Sequence, residues 1–199
     1  MEDTALKKEI DRLVKIKGEL RGIAIKDDFN YILYREGKEG INRLEKEMAR
    51  IGYPLKYKDI KSMKFYPVGL ETVIMLVNKK IFNYQDEDFK KLGEWTTRLP
   101  LIIRLFMKFF GSVELAAKGA SRMWRTYFTV GDLKVVKLDI KKRYTILRLT
   151  NWNFNPIHCL SCQGFFMGVV KLIHKENVTC EETKCVHRGD EYHEFLIKW

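Results

Sequence analysis

The chain has 199 residues, of which 46% are apolar and 32% charged, enough for one packed domain with a helical appendage or for two small lobes. Residues 1–20 carry charge every few positions, which excludes a secretory leader there. The most apolar stretch, Leu99 to Phe110, contains Arg104 and Lys108 and falls well short of the roughly 20 residues that span a bilayer, so no transmembrane segment is expected and a cytoplasmic location is.

The net charge is +11, and residues 79–150 carry most of it, with 16 Lys+Arg against 7 Asp+Glu. A basic middle third can face a nucleic acid, an anionic lipid or an acidic protein. However, there is no long Lys/Arg run, zinc-finger spacing or ribonucleoprotein aromatic motif. Nucleic acid is therefore a possible partner but not the favoured one.

In chain order, Thr4 to Leu20 reads as a helix, with Thr4 as N-cap and Leu6, Ile10, Leu13 and Ile16 along one face. Residues 1–20 form a possible dimerising arm, and residues 21–199 a single domain. Gly22 to Ile25 reads as a short strand. Ile41, Leu44 and Met48 mark a helix that Gly52 stops. Val68 to Phe82 reads as a buried helix, Asp86 to Gly93 opens another, and Leu99 to Arg125 supplies one or two more. The pattern then changes. Val135 to Ile140 and Tyr144 to Thr150 form a hairpin across Lys141-Lys142-Arg143. Asn155 and Pro156 open a helix whose Gly164 and Gly168 allow close backbone approach. Two strands, around Val178 to Val186 and Tyr192 to Trp199, close the chain. The class is α+β: a helical N-terminal part, then an antiparallel sheet with packed helices.

All four cysteines, Cys159, Cys162, Cys180 and Cys185, lie in the last 41 residues, and clustered thiols in a reducing compartment are more often metal ligands or core residues than disulfides. If the Gly189-Asp190 turn closes a hairpin, Cys185 and His193 are brought together. With Glu182 three residues before Cys185, and Cys159 at the start of the preceding helix, a soft thiolate pair, an imidazole and a carboxylate make a tetrahedral zinc set. Cys162 reads as a core thiol. Cys180 is the alternative ligand if the strand register differs, and otherwise faces a pocket.

This C-terminal stretch resembles the 4-vinyl reductase domain family, which includes the sensor domains of aromatic-sensing regulators and is related in fold to the TRAPP transport subunits and, more distantly, to haem nitric-oxide sensors. The resemblance rests on Cys159 with Gly164, on Glu182-Thr-Lys-Cys185, and on Gly189 to His193, where His193 stands at a position that is commonly cysteine. It implies a structural zinc bracing the wall of an apolar ligand pocket, and dimers packed through N-terminal helices, for which the Leu6/Ile10/Leu13 stripe and Leu99–Phe110 are the candidates.

Aromatic residues cluster just before the site, and Trp124, Tyr127, Phe128, Trp152, Phe154 and Phe165, with Cys180, are the candidate pocket lining. His158 is expected to cap its helix, or else to orient a ligand. No nucleophile elbow, P-loop, dinucleotide loop or paired-His zinc motif occurs, so no enzyme is expected. The favoured reading is a sensor module for a small apolar ligand that works through a protein effector. A trafficking- or assembly-type adaptor of the same fold and a nucleic-acid-associated protein are the alternatives.

Overall fold

The computed structural model describes residues 3–98, 111–174 and 177–199. Helix α1 (Asp3–Leu13) is followed by a three-residue strand β1 (Glu19–Arg21) and the long helix α2 (Gly22–Arg50). β1 pairs antiparallel with β2 (Phe65–Pro67), and then come α3 (Gly69–Phe82), α4 (Asp86–Thr96) and α5 (Val113–Tyr127). The second half holds β3 (Asp132–Asp139), β4 (Tyr144–Thr150), α6 (Pro156–Ile173), β5 (Thr179–Lys184) and β6 (His193–Lys198). These four strands form one antiparallel sheet in the order β3-β4-β6-β5. The α+β expectation therefore stands.

The first helix ends at Leu13 and not at Leu20, because Gly18, with φ 124°, turns the chain into strand β1, and two further local differences from the sequence reading also have physical causes. The β-branched run Gly22 to Ile25 is the start of α2, because Ile23 and Ile25 are buried among other helices and that packing overrides their strand preference. The chain kinks at Gly37, whose φ of 70° lies in the left-handed region that costs glycine nothing. The stripe Ile41, Leu44 and Met48 thus belongs to the second half of a helix that already starts at Gly22.

The stripe Leu6, Ile10 and Leu13 is buried in the main core against α3, so α1 spends its apolar face inside the monomer instead of offering it as a dimer surface. Where the two helices cross, a Cβ on Gly69 would sit 2.1 Å from the Leu13 carbonyl oxygen. Farther along α1, Glu9 accepts from Asn155 Nδ2 at 2.8 Å, and Arg12 donates to the carbonyls of Asn153 and Phe154. The first helix thus fixes the loop that leads into α6. The other candidate dimer segment, Leu99–Phe110, lies outside the described residues, as does the start of the predicted 99–125 helical region.

By composition α6 is apolar enough to cross a membrane, with mean hydropathy 1.3 over 18 residues, but here it is a core helix lying between α4 and the sheet. Asn155 caps it, its side chain accepting from Ile157 N at 3.0 Å, with Pro156 in the first turn where no N–H is needed. Against α4 the approach is backbone to backbone. A Cβ on Gly164 would fall 1.8 Å from Lys90 O, and one on Gly93 would fall 1.9 Å from Ser161 O. No side chain fits at either place.

Candidate functional site

Two features converge on α6. The first is a group of four potential ligands, Cys159, Glu182, Cys185 and His193, whose donor atoms all lie within 4.8 Å of one another. Each is delivered by a separate device. Cys159 stands in the first turns of α6. Glu182 sits in β5 beside a bulge that shifts the β5–β6 register between Glu182 and Lys184. Cys185 opens a one-turn 3-10 helix, Val186–Arg188, that ends at Gly189 with φ 95°, and its N–H donates to Asp190 Oδ2 at 2.8 Å. His193 is the first residue of β6.

The imidazole of His193 is fully buried, and its orientation is fixed from behind. Nε2 lies 2.6 Å from the carbonyl oxygen of Trp152. A carbonyl can only accept, so Nε2 donates to it, and Nδ1 is the nitrogen that faces the group. Nδ1 then stands 2.9 Å from Glu182 Oε1 and 3.6 Å from Cys159 Sγ. A tetrahedral zinc with its usual bond lengths places a sulfur and a nitrogen ligand about 3.6 Å apart and a nitrogen and an oxygen about 3.4 Å apart. The cluster meets the first spacing, and opening the second by about half an ångström meets the other.

The electrostatics suit a cation. Burial raises the Cys159 thiol, and the neighbouring Glu182 carboxylate raises it further. Cys185 is likewise raised, first by burial. Burial also works to raise Glu182, but hydrogen bonds with His193 and Cys185 outweigh it and hold the carboxyl below the usual range. Arg188 lies on the far oxygen of that carboxylate, Nη1 to Oε2 at 3.3 Å, and donates to the Glu182 carbonyl at 2.9 Å. A bound divalent ion reverses the penalty on the thiols by making the deprotonated form the favoured one.

The second feature is a partly open cavity of about 140 Å³ bounded by α5, α6 and the sheet, with the start of α2 and α3 at one end. Trp124, Tyr127, Phe128 and Phe165 line it, together with Cys162, which the sequence reading left as a bystander. Trp152, Phe154 and Cys180 do not line it. Trp152 is packed in an aromatic cluster with Trp124, Phe128, Phe154 and His158, at centroid distances from 4.3 to 5.1 Å, and its carbonyl serves His193. Cys180, paired with Ile197 in the sheet, stands outside both features.

His158 is not a helix cap, because Asn155 performs that role. Its ring is buried on the cavity wall, with Nε2 3.0 Å from Glu71 Oε2 and Nδ1 3.5 Å from Cys162 Sγ. Asp27 and Asp28 reach the same end of the cavity. Burial pushes Asp27 up to about 8, and pushes Asp28 well above the carboxylate range, with Glu71 and Asp27 adding to the effect on Asp28. Sequence reasoning missed this acidic end, although a signal was available. Asp28 falls within the helical stripe Ile25, Phe29 and Ile32, all three fully buried.

The same arrangement of helices and sheet occurs in solved structures. An H-NOX protein from S. oneidensis in the Fe(II)NO ligation state superposes with a TM-score of 0.68 at 15% identity, covering 90% of this chain and 98% of that one. This chain has the H-NOX fold. An oxygen-binding H-NOX domain related to soluble guanylate cyclases matches at TM-score 0.62 and 12% identity, over 90% of this chain and 94% of that one. The H-NOX domain from Shewanella oneidensis in the Fe(II)CO state matches at 0.62 and 14%, over 90% and 98%. No family model and no curated protein matches the sequence. The 4-vinyl reductase resemblance is therefore corrected. It rested on some forty C-terminal residues, whereas the H-NOX fold accounts for nine-tenths of the chain, including the helical half that the resemblance left undefined.

Proposed function

We propose that this chain is a ligand-binding sensor module, in which the cavity takes a small apolar molecule and Cys159, Glu182, Cys185 and His193 hold a structural zinc that braces the cavity wall. The observation that carries this reading is the division of labour on α6. Cys159 turns to the four-ligand group, while His158, Ser161, Cys162 and Phe165 turn to the cavity. A change at either feature therefore bears on the same helix.

Four protein donors fill a tetrahedral zinc and leave no open position for water or substrate, which suits support and not catalysis. Two thiolates and a carboxylate around a divalent ion sum to one negative charge, and Arg188 supplies the balancing positive one. The Trp152 carbonyl behind His193 is the outer partner that a metal-bound imidazole ordinarily has.

The H-NOX proteins of similar fold are haem-nitric oxide/oxygen binding domains, but the described residues here do not fit haem. The cavity is far below the roughly 300–1,000 Å³ of cofactor sites. His158 is the one imidazole on its lining, and both of its ring nitrogens are already engaged. The Cys162 thiol is pushed well up by burial, and no Lys or Arg among the described residues lines the cavity to meet haem carboxylates, whereas three acids do. The volume instead suits a single ring, since an apolar cavity of about 150 Å³ is known to take benzene.

Metal analysis of the purified chain tests the first part. One zinc per chain, lost in Cys185→Ser and His193→Gln, is expected, and a metal-free chain folded to the same stability overturns it. Toluene titration followed by NMR tests the second, with shifts confined to the cavity residues expected. No saturable shift overturns it.

A further inference from the structure

The acidic end of the cavity says more about the ligand than the apolar body does. Asp28 is 1% exposed, lines the cavity, and neither of its carboxyl oxygens has a hydrogen-bond partner. Leaving a buried polar group unmet is costly, and the great majority of such groups in folded proteins have partners. Asp27 and Glu71 stand beside it on the same lining, and the Glu71 carboxyl is steered by His158. Three carboxyl groups thus share one end of a small, largely apolar space, and the described lining has no Lys or Arg to offset them.

We propose that the ligand is a small apolar primary amine bound as its ammonium ion, with the ammonium group at Asp28, Asp27 and Glu71 and the hydrocarbon body against α5 and α6. An ammonium ion has three N–H donors and no acceptor, so it can give one to each orphaned Asp28 oxygen and one to a neighbouring carboxyl. Burial, with repulsion from Glu71 and Asp27, raises the Asp28 carboxyl, and the charge of an ammonium ion beside it works against that repulsion. A carboxylate ligand meets repulsion at this end. A plain hydrocarbon leaves both oxygens unmet. The size limit from the cavity volume points to a body of about one aromatic ring.

This inference rests on the cavity reading given above, and three probes built on the same single ring separate the two. Benzylamine, toluene and benzoate are titrated into the full chain by calorimetry and NMR. Benzylamine is expected to bind at least about tenfold more tightly than toluene, with benzoate weakest. Asp28→Asn is expected to reduce the amine to the level of toluene while toluene binding persists, which also shows that the variant is folded. Glu71→Gln is expected to give a smaller loss of the same sign. If toluene binds and benzylamine binds no better, or if Asp28→Asn leaves the amine preference intact, the amine assignment is overturned and the apolar pocket stands. If none of the three probes enters, both fall.

Discussion

Asp27 should make the stability of this protein fall as pH rises through the neutral range, against the usual trend for paired carboxylates. The residue is 5% exposed, and burial lifts its carboxyl from 3.8 to about 8, with a hydrogen bond to Asn30 working the other way and Glu71 adding repulsion. A group bound more tightly to its proton in the folded state contributes fully below the unfolded value, near 4, and its contribution is lost as pH climbs toward the folded value, near 8. At about 1.36 kcal/mol per tenfold in proton affinity, the complete loss is about 6 kcal/mol, of which about 4 is already gone at pH 7. That is comparable with the whole stability of a typical domain, about 5–15 kcal/mol, so the effect is measurable. Asp27→Asn keeps the shape and removes the titration. Urea unfolding of both proteins at half-unit steps from pH 4 to 8.5 gives the difference curve. The variant should gain on the wild type steadily, reaching about 4 kcal/mol at pH 7 relative to pH 4. Glu9, Glu47, Asp88 and Glu94, whose carboxyls are held below their usual range, contribute in the opposite direction but equally in both proteins, and cancel. Parallel curves over the whole range refute the reasoning.

Three further outcomes are expected. Stripping zinc from the chain with a strong chelator should lower Tm by about 10 °C, because a site saturated a thousandfold contributes about 4 kcal/mol and a domain this size moves about 2–4 °C per kcal/mol; an unchanged thermal scan with metal removed counts against the centre. Gly164→Ala must push its methyl into Lys90 O, and should cost about 3 kcal/mol or more in urea unfolding, since the obstacle is backbone and cannot swing aside. Ala120→Leu, which places a branched side chain into the cavity, should raise stability by about 1 kcal/mol and abolish toluene shifts; retained toluene binding would contradict the location of the pocket.

The parts of this architecture that announce themselves in sequence are those governed by short-range rules. Asn155 and Pro156 mark the start of α6 by capping chemistry alone, and the charged turn Lys141-Lys142-Arg143 joins β3 to β4 as alternation suggests. Cys185 and His193 meet because a Gly189 turn returns the chain on itself. Their joining with Cys159 and Glu182 depends on one helix and one strand pair, whose spacing the C-terminal intervals constrain. The acidic end of the cavity depends instead on three helices and the sheet at once. Asp27-Asp28 and Glu71 lie over forty residues apart, and although the apolar stripe around Asp28 marks that residue as buried, nothing local says that Glu71 joins it. The pocket lining shows the same division. Residues of α5 face the cavity as their helical face dictates, while Trp152 is turned away by a loop that Arg12, about 140 residues earlier, holds in place.

The contact between α4 and α6 sets limits on how occupancy of the cavity can be felt elsewhere. Helices separated by interlocking side chains can roll against each other as rotamers change. At Gly93 and Gly164 there are no side chains between the two backbones, so rolling α6 drives Cα hydrogens into carbonyl oxygens. The pair behaves as a single strut. Whatever strain a guest molecule puts on α6 is carried lengthwise, either into α4 or through Cys159 to the β5–β6 edge. The loop preceding α6 is the one end where that strut is tied to the first helix of the chain.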